Sequence, residues 1–203
     1  MTRLVLASGN PGKLAELRAL LAPLAVELIP QRELGIESPE ETGTTFQANA
    51  LLKARHAAAH AHDAALADDS GLEVDALGGR PGVWSARFSG EGASDAANLH
   101  RLLAELDGVP DAARQARYHC VIACVTSATD PAPLIASGSW EGRIGHEPRG
   151  SGGFGYDPVF LPVGETRTAA QLPAAEKNAV SHRAQALRAL VAGLTREGYI
   201  GSP

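Results

Sequence analysis

Asp68 and Asp69 stand side by side in the stretch from Ala65 to Gly90, ALADDSGLEVDALGGRPGVWSARFSG. Ala65-Leu66-Ala67 reads as a short buried strand, and the two carboxylates fall where that strand should end. Ser70-Gly71 then reads as a turn, and Leu72 to Leu77 alternates apolar and polar like a half-exposed strand. Gly78, Gly79, Pro81 and Gly82 forbid regular structure after it. Paired acids beside a glycine turn suit a hard cation, or a water that must lose a proton. A capped turn uses the same residue types, so this stretch alone leaves both readings open.

Four other groups of residues could do chemistry. Ser8-Gly9-Asn10-Pro11-Gly12-Lys13 interrupts an apolar strand and opens a helix. Such a loop aims backbone N–H groups at one spot, with Lys13 in the first turn, and that arrangement suits an anion. It is not a Walker A loop, because Leu14 stands where the magnesium-binding hydroxyl would be. Asn49 and Lys53 lie four apart on a predicted helix and share a face, an amide and an ammonium that together suit a phosphate or simply meet solvent. In Gly150 to Pro158, GSGGFGYDP, glycines surround Phe154 and Tyr156-Asp157 follows. An aromatic in such a loop can stack on a base, a contact worth ~1–3 kcal/mol, or fill a core. Finally, Lys177, Ser181, His182 and Arg183 cluster at the start of the last helix. Cations disfavour a helix N-terminus, so they require an anion or an acceptor atom there.

The elements that position these groups are legible in order. Arg3 to Ala7 is a buried strand. Asn10 caps and Pro11 opens a helix with Leu14, Leu17, Leu20, Leu21 and Leu24 on its stripe. Val26 to Ile29 is a second strand, and Thr44 or Thr45 caps a helix from Phe46 to about His62. Ser94 or Asp95 caps another, ended by Gly108 and Pro110. Arg117–Thr126 and Leu134–Ile144 read as a strand pair about the Thr129-Asp130-Pro131 turn. The last helix runs from about Ala179 to Leu194, and the tail from Gly198 to Pro203 reads as frayed.

Composition bounds the class. The chain has 203 residues, 44% of them hydrophobic, with a net charge of −5. That suits one ordinary globular domain and excludes non-specific nucleic-acid binding, which needs a broad basic surface. No stretch approaches the ~20 apolar residues of a membrane span, and the N-terminal apolar run is too short for a signal peptide. Cys120 and Cys124 share one face of a strand too far apart for a disulfide, as reduced thiols of a cytoplasmic protein do. His56 and His60 lack the glutamate of a zinc-binding HExxH and read as a solvent-facing pair.

Together these groups describe a nucleoside triphosphate site with a metal ion. The chain closely resembles the inosine triphosphatase family, the non-canonical purine NTP pyrophosphatases also called XTP/dITP pyrophosphatases, in its bacterial form. The resemblance rests on SGNPGK at 8–13, EETG at 40–43, ADDSGL at 67–72, GGFGYDP at 152–158 and EKNAVSHRAQAL at 176–187. Ser8 stands where many relatives carry threonine.

What the resemblance implies is an α/β fold with a long mixed central sheet flanked by helices. It implies two lobes with the active site in the cleft between them, all within a single domain of residues 1–203, and a homodimer. It implies Mg2+-dependent hydrolysis of ITP, dITP and XTP to the monophosphate and pyrophosphate. By position, Ser8, Gly9, Asn10, Pro11, Gly12 and Lys13 would bind phosphates, with Lys53 stabilising the leaving charge. Asp69 would activate water and, with Glu40 or Glu41, hold the metal. Ser70 would touch substrate. Phe154, Gly155, Tyr156 and Asp157 would form the base and sugar pocket, closed by Lys177, His182 and Arg183. Lys177 and Arg183 only donate hydrogen bonds, so either one facing C6 of the base would accept ITP and XTP and disfavour ATP. The competing readings are a pyrophosphatase for modified pyrimidine triphosphates and a non-catalytic nucleotide-binding regulator.

Overall fold

The first strand, β1 (Arg3–Leu6), runs parallel to both β2 (Glu27–Pro30) and β3 (Ala65–Val74). The structure is a computed structural model, and it describes residues 3–22 and 26–199. Leu24 and the tail beyond Tyr199 lie outside the described residues. The described strands form one six-stranded sheet in the order β2-β1-β3-β4-β5-β6, where β4 is Gln115–Val125, β5 Leu134–Ile144 and β6 Phe160–Pro162. Because β6 is antiparallel to β5, the sheet is mixed. The helices are α1 (Pro11–Leu21), α2 (Phe46–Ala61), α3 (Asp95–Glu105), α4 (Ala174–Val180) and α5 (His182–Arg196).

The chain divides into two compact units. One comprises residues 1–69, 120–138 and 183–203, the other 70–119 and 139–182. Each has its own core, and the long strands feed both. In the first unit Leu66 of β3, Cys120, Ile122 and Cys124 of β4, and Ala136 of β5 pack with Leu14, Leu17 and Leu21 of α1 and Leu187, Leu190 and Leu194 of α5. The second gathers Leu72 and Val74 of β3, Ala116 and Tyr118 of β4, Trp140 and Ile144 of β5, and Leu99, Leu102 and Leu106. The period of two along each strand puts these residues on one face. Both cysteines are free and buried, and burial pushes each thiol up to about 12.

Helix starts follow the sequence closely. The Asn10 side chain accepts from the Gly12 and Lys13 amides, with Pro11 at the first helical position. Thr45 caps α2 through Ala48, and His62 closes that helix in the left-handed region at φ 51°. Ser94 caps α3 through Ala97.

Three expectations are corrected. The strand β3 does not end at the aspartates: it runs through Asp68, Asp69, Ser70 and Gly71 to Val74. Charged partners on both faces satisfy the acids, so no turn is needed to reach water. The Leu72–Leu77 strand in turn stops at Val74, and Asp75–Leu77 forms a 3-10 turn closed by Gly78 at φ 64°. Last, the C-terminal helix is two helices. Ser181 is extended, with φ −63° and ψ 160°, and separates α4 from α5.

Candidate active site

Consecutive side chains of a strand point to opposite faces. Extending β3 through both aspartates therefore sends Asp68 and Asp69 to different surroundings. Each is buried, at 1% and 5% exposure.

Asp68 faces cations. Its Oδ2 lies 3.1 Å from Lys13 Nζ and 3.3 Å from Arg183 Nε and Nη2. Arg183, itself 1% exposed, also donates to Glu16 of α1. Burial alone would push the Asp68 carboxyl up, but Lys13, Arg183 and Lys53 outweigh it and hold it well below the usual range. Arg183 stays fully charged, because the attraction of Asp68 and Glu16 exceeds the cost of its burial. This answers the puzzle of a cation at a helix start: the acceptors are the protein's own acids.

Asp69 faces α2. Lys53 Nζ donates to Asp69 Oδ1 at 2.9 Å and to Glu41 Oε1 at 2.7 Å. The second oxygen, Oδ2, accepts from Asn49 Nδ2 at 3.2 Å. Here burial dominates and raises the Asp69 carboxyl above its ordinary value, although Lys53 and Lys13 pull it down. Lys53 is held charged by Asp69, Asp68 and Glu41 against its own burial. The α2 face carrying Asn49 and Lys53 is thus buried against carboxylates and is not a solvated surface.

Glu41 and Asp69 converge on one ammonium, so their oxygens stand within reach of a single cation. Hard oxygen donors of this kind fit Mg2+, which takes one or two carboxylates and fills its other positions with water and phosphate. Among the described residues, no group of three or more His, Cys, Asp or Glu side chains is gathered as a metal cage. Glu40 is exposed, while Glu41 is half-buried.

In the loop before α1, Ser8 Oγ accepts from the Asn10 amide at 3.3 Å, and Asn10 Oδ1 occupies the Gly12 and Lys13 amides at 2.9 and 3.1 Å. Two of the N–H groups expected to meet an anion are thus held by the cap. Gly9, Asn10 and Pro11 are exposed, and Ser8, Gly12, Lys13 and Ser70 are half-buried or nearly so.

The second unit holds the glycine-rich loop. Asp157, buried at 2%, accepts through Oδ2 from the Phe154 amide at 3.0 Å and from Lys177 Nζ at 2.6 Å. The Lys177 ammonium also lies 4.9 Å from the centre of the Phe154 ring, a cation–π contact. Gly153 makes this fold-back possible: its φ is +70°, and a Cβ there would come within 1.9 Å of Asp157 Oδ2. The Gly155 amide donates to Asp95 at 2.7 Å. Tyr156 is a core residue, its hydroxyl donating to the Ser85 carbonyl at 2.8 Å. His182 is buried with its ring stacked on Tyr118 at 4.7 Å and 8°.

The sequence-derived residues therefore fall into two sets. Ser8 to Lys13, Glu41, Lys53, Asp69 and Arg183 belong to the first unit; Ser70, Phe154 to Asp157, Lys177 and His182 belong to the second. Arg183 is engaged by Asp68 and Glu16. Reasoning from sequence missed Glu16, although it sits three residues beyond Lys13 on α1 and so shares its face. It also passed over Asn49 as a partner of Asp69, because strand-to-helix contacts carry no local signal.

Residues 4–193 match the Ham1 family, and the chain belongs to it. Among similar proteins are the dITP/XTP pyrophosphatase of Shigella flexneri, 55% identical over 96% of this chain and 98% of that protein. The dITP/XTP pyrophosphatase of Escherichia coli K12 is 54% identical over the same shares. The fold superposes on a HAM1 protein from Coxiella burnetii with a TM-score of 0.89 and 51% identity, covering 97% of this chain and 100% of that one. A Ham1 protein of Staphylococcus aureus gives 0.83 at 38% identity, covering 96% of this chain and 99% of that one.

Proposed function

We propose that the protein is a nucleoside triphosphate pyrophosphatase that hydrolyses ITP, dITP and XTP to the monophosphate and pyrophosphate. The observation that carries this reading is Asp69, a buried carboxylate whose two oxygens are fixed by Lys53 and Asn49 beside a lysine-bearing loop. The dITP/XTP pyrophosphatases to which the chain is similar supply the substrate class.

In this reading Asp69 accepts the proton of the attacking water. Burial raises its carboxyl above the ordinary aspartate value and a bound Mg2+ would lower it again, so its use as a base rests on its fixed position between Lys53 and Asn49. Lys13 and Lys53 oppose the charge that builds on the departing pyrophosphate, more in the transition state than before it. Ser8 to Gly12 bind phosphate oxygens, and Ser70 touches substrate. Glu41 and Asp69 would hold Mg2+, which when bound supplies charge neutralisation at the phosphates; Glu40 is the outer of the two glutamates. Phe154 takes the flat base, with Gly155, Tyr156, Asp157 and His182 shaping its pocket. Lys177 donates to the C6 oxygen of hypoxanthine or xanthine, and an ammonium with three donors can keep Asp157 while doing so. Arg183 acts on Asp68. The protein works as a homodimer in the cytoplasm, cleansing the nucleotide pool. The described helices include none long and apolar enough to cross a membrane.

The test is a panel of purine and pyrimidine triphosphates with Mg2+, following pyrophosphate separately from phosphate. Equal monophosphate and pyrophosphate from ITP and XTP, with ATP and GTP poor, is expected. Hydrolysis in ¹⁸O-water should label the monophosphate, since attack falls at the α-phosphorus. Preference for pyrimidines, release of phosphate first, or binding without turnover would overturn this reading.

A further inference from the structure

Asn49 is fully buried, at 0% exposure, on the first turn of α2. Both ends of its carboxamide are used. Oδ1 accepts from the Gly43 amide at 2.8 Å, and Nδ2 donates to Asp69 Oδ2 at 3.2 Å. The orientation is fixed by its partners: a backbone N–H can only donate and a carboxylate can only accept, so oxygen must face Gly43 and nitrogen Asp69.

A closed ring results. From Glu41 the chain passes through Thr42 to the Gly43 amide, then across Asn49 to Asp69, then through Lys53 back to Glu41. Asn49 and Lys53 hold different oxygens of Asp69, so the carboxylate is oriented as well as placed. Gly43 is part of the same device. Its φ is ordinary, but a Cβ there would come within 2.5 Å of Asn49 Oδ1 and 2.9 Å of Ala48 Cβ. The glycine of the EETG segment is thus required by the amide that it donates to.

We infer that Asn49 is a positioning residue: its carboxamide ties the loop bearing Glu41 to Asp69 and sets the two carboxylates at the separation at which one cation bridges them. This deepens the proposed function and rests on its assignment of Glu41 and Asp69 to the metal. Lys53 alone could not do the same. Its ammonium ends a four-carbon stem that could follow either acid, whereas Asn49 is a short side chain on a helix, and its backbone amide is anchored to the Thr45 carbonyl at 3.1 Å. Partners that orient metal-binding carboxylates typically change metal affinity by ~10–100-fold when removed.

The experiment is Mn2+ binding to the nucleotide-free protein, read by the loss of the free-ion EPR signal, for wild type, Asn49→Leu and Gly43→Ala. Leucine fills the volume of the amide without either bond. Alanine at 43 displaces the amide and alters no charged group. Both variants should bind Mn2+ ~10-fold or more weakly while keeping the wild-type far-UV CD spectrum. A folded Asn49→Leu protein with wild-type Mn2+ affinity overturns the proposal, as does a wild type that takes up no Mn2+. If Asn49→Leu does not fold, Gly43→Ala decides alone: wild-type affinity in that variant overturns the clamp. ITP turnover by the wild type is measured in parallel. Weakened Mn2+ binding in a protein that hydrolyses no nucleotide would sink the proposed function and leave the clamp; full turnover with unchanged Mn2+ affinity in the variants would do the reverse.

Discussion

The two faces of β3 at residues 68 and 69 carry the same side chain one position apart, and the protein treats them oppositely. On one face Asp68 is surrounded by Lys13 and Arg183, and its carboxyl is driven down. On the other, Asp69 meets one ammonium shared with Glu41 and a neutral amide, and burial drives its carboxyl up. The strand's alternation gives one acid several cations and the other a buried site with a single shared ammonium and an amide. A surplus of cations makes a poor base, and a shortage makes a good one. Neither role could be read from the residue type.

The largest effect that would break this contrast is on turnover. Asp69→Asn should lower kcat for ITP by ~10²–10⁴-fold, the usual worth of a general base, with a thermal midpoint close to wild type. An amide keeps the shape but cannot take the water's proton. Near wild-type turnover in this variant would remove Asp69 from the chemistry. Asp68→Asn should show the opposite pattern. Removing one partner of a buried ion pair costs about 3–5 kcal/mol, which for a chain of this length is a fall in Tm on the order of 10 °C. At low temperature the folded fraction should retain most of its kcat. A variant that melts like wild type but is inactive would reverse the assignment of the two acids.

Much of this was legible in the chain, for physical reasons that differ by level. Caps at Asn10, Thr45 and Ser94 are local hydrogen bonds, so their signal lies within three residues of the helix start. The β5 strand, Leu134–Ile144, has the bounds that its sequence pattern predicts. What failed at Asp68-Asp69-Ser70-Gly71 was the assumption that acids end a strand. Residues from α1, α2 and α5, distant in sequence, neutralise them, and no local pattern announces that. The break at Ser181 has no local signal, because no glycine or proline stands near it in EKNAVSHRAQAL. Arg183 was recognised as needing an acceptor, but the identity of that acceptor lay in Asp68, more than a hundred residues away.

The contacts of Arg183 with Asp68 and Glu16 bear on base choice. Arg183→Ala should destabilise the protein and leave the ITP-to-ATP ratio of kcat/KM unchanged, because its guanidinium is engaged by Asp68 and Glu16. Lys177→Ala should lower that ratio by ~10-fold or more, since a hydrogen bond from a charged donor contributes ~1.5–3 kcal/mol. Steady-state kinetics on both nucleotides distinguishes them. A ratio that moves with Arg183 and not with Lys177 would return the guanidinium to the base.

The smallest effect is the most direct measure of the contrast, because it reads both acids by one method. An acid whose folded pKa lies below its unfolded value adds stability above the unfolded value, and that stability is lost as pH falls through the folded pKa. Asp68 is of this kind, so the stability gap between wild type and Asp68→Asn should shrink on acidification below the ordinary aspartate value of 3.8. Asp69 is the reverse. With its folded pKa raised, ionisation costs stability once the pH exceeds the unfolded value of 3.8. Acidifying from neutrality therefore favours wild type relative to Asp69→Asn, through the interval between the folded pKa and 3.8. Urea melts of the three proteins from pH 3 to pH 7, with chelator present so that no metal is bound to Asp69, should give gaps that change with opposite sign. Slopes of the same sign would mean that the two faces of β3 share one electrostatic environment, and the division of labour between the neighbouring aspartates would have to be abandoned.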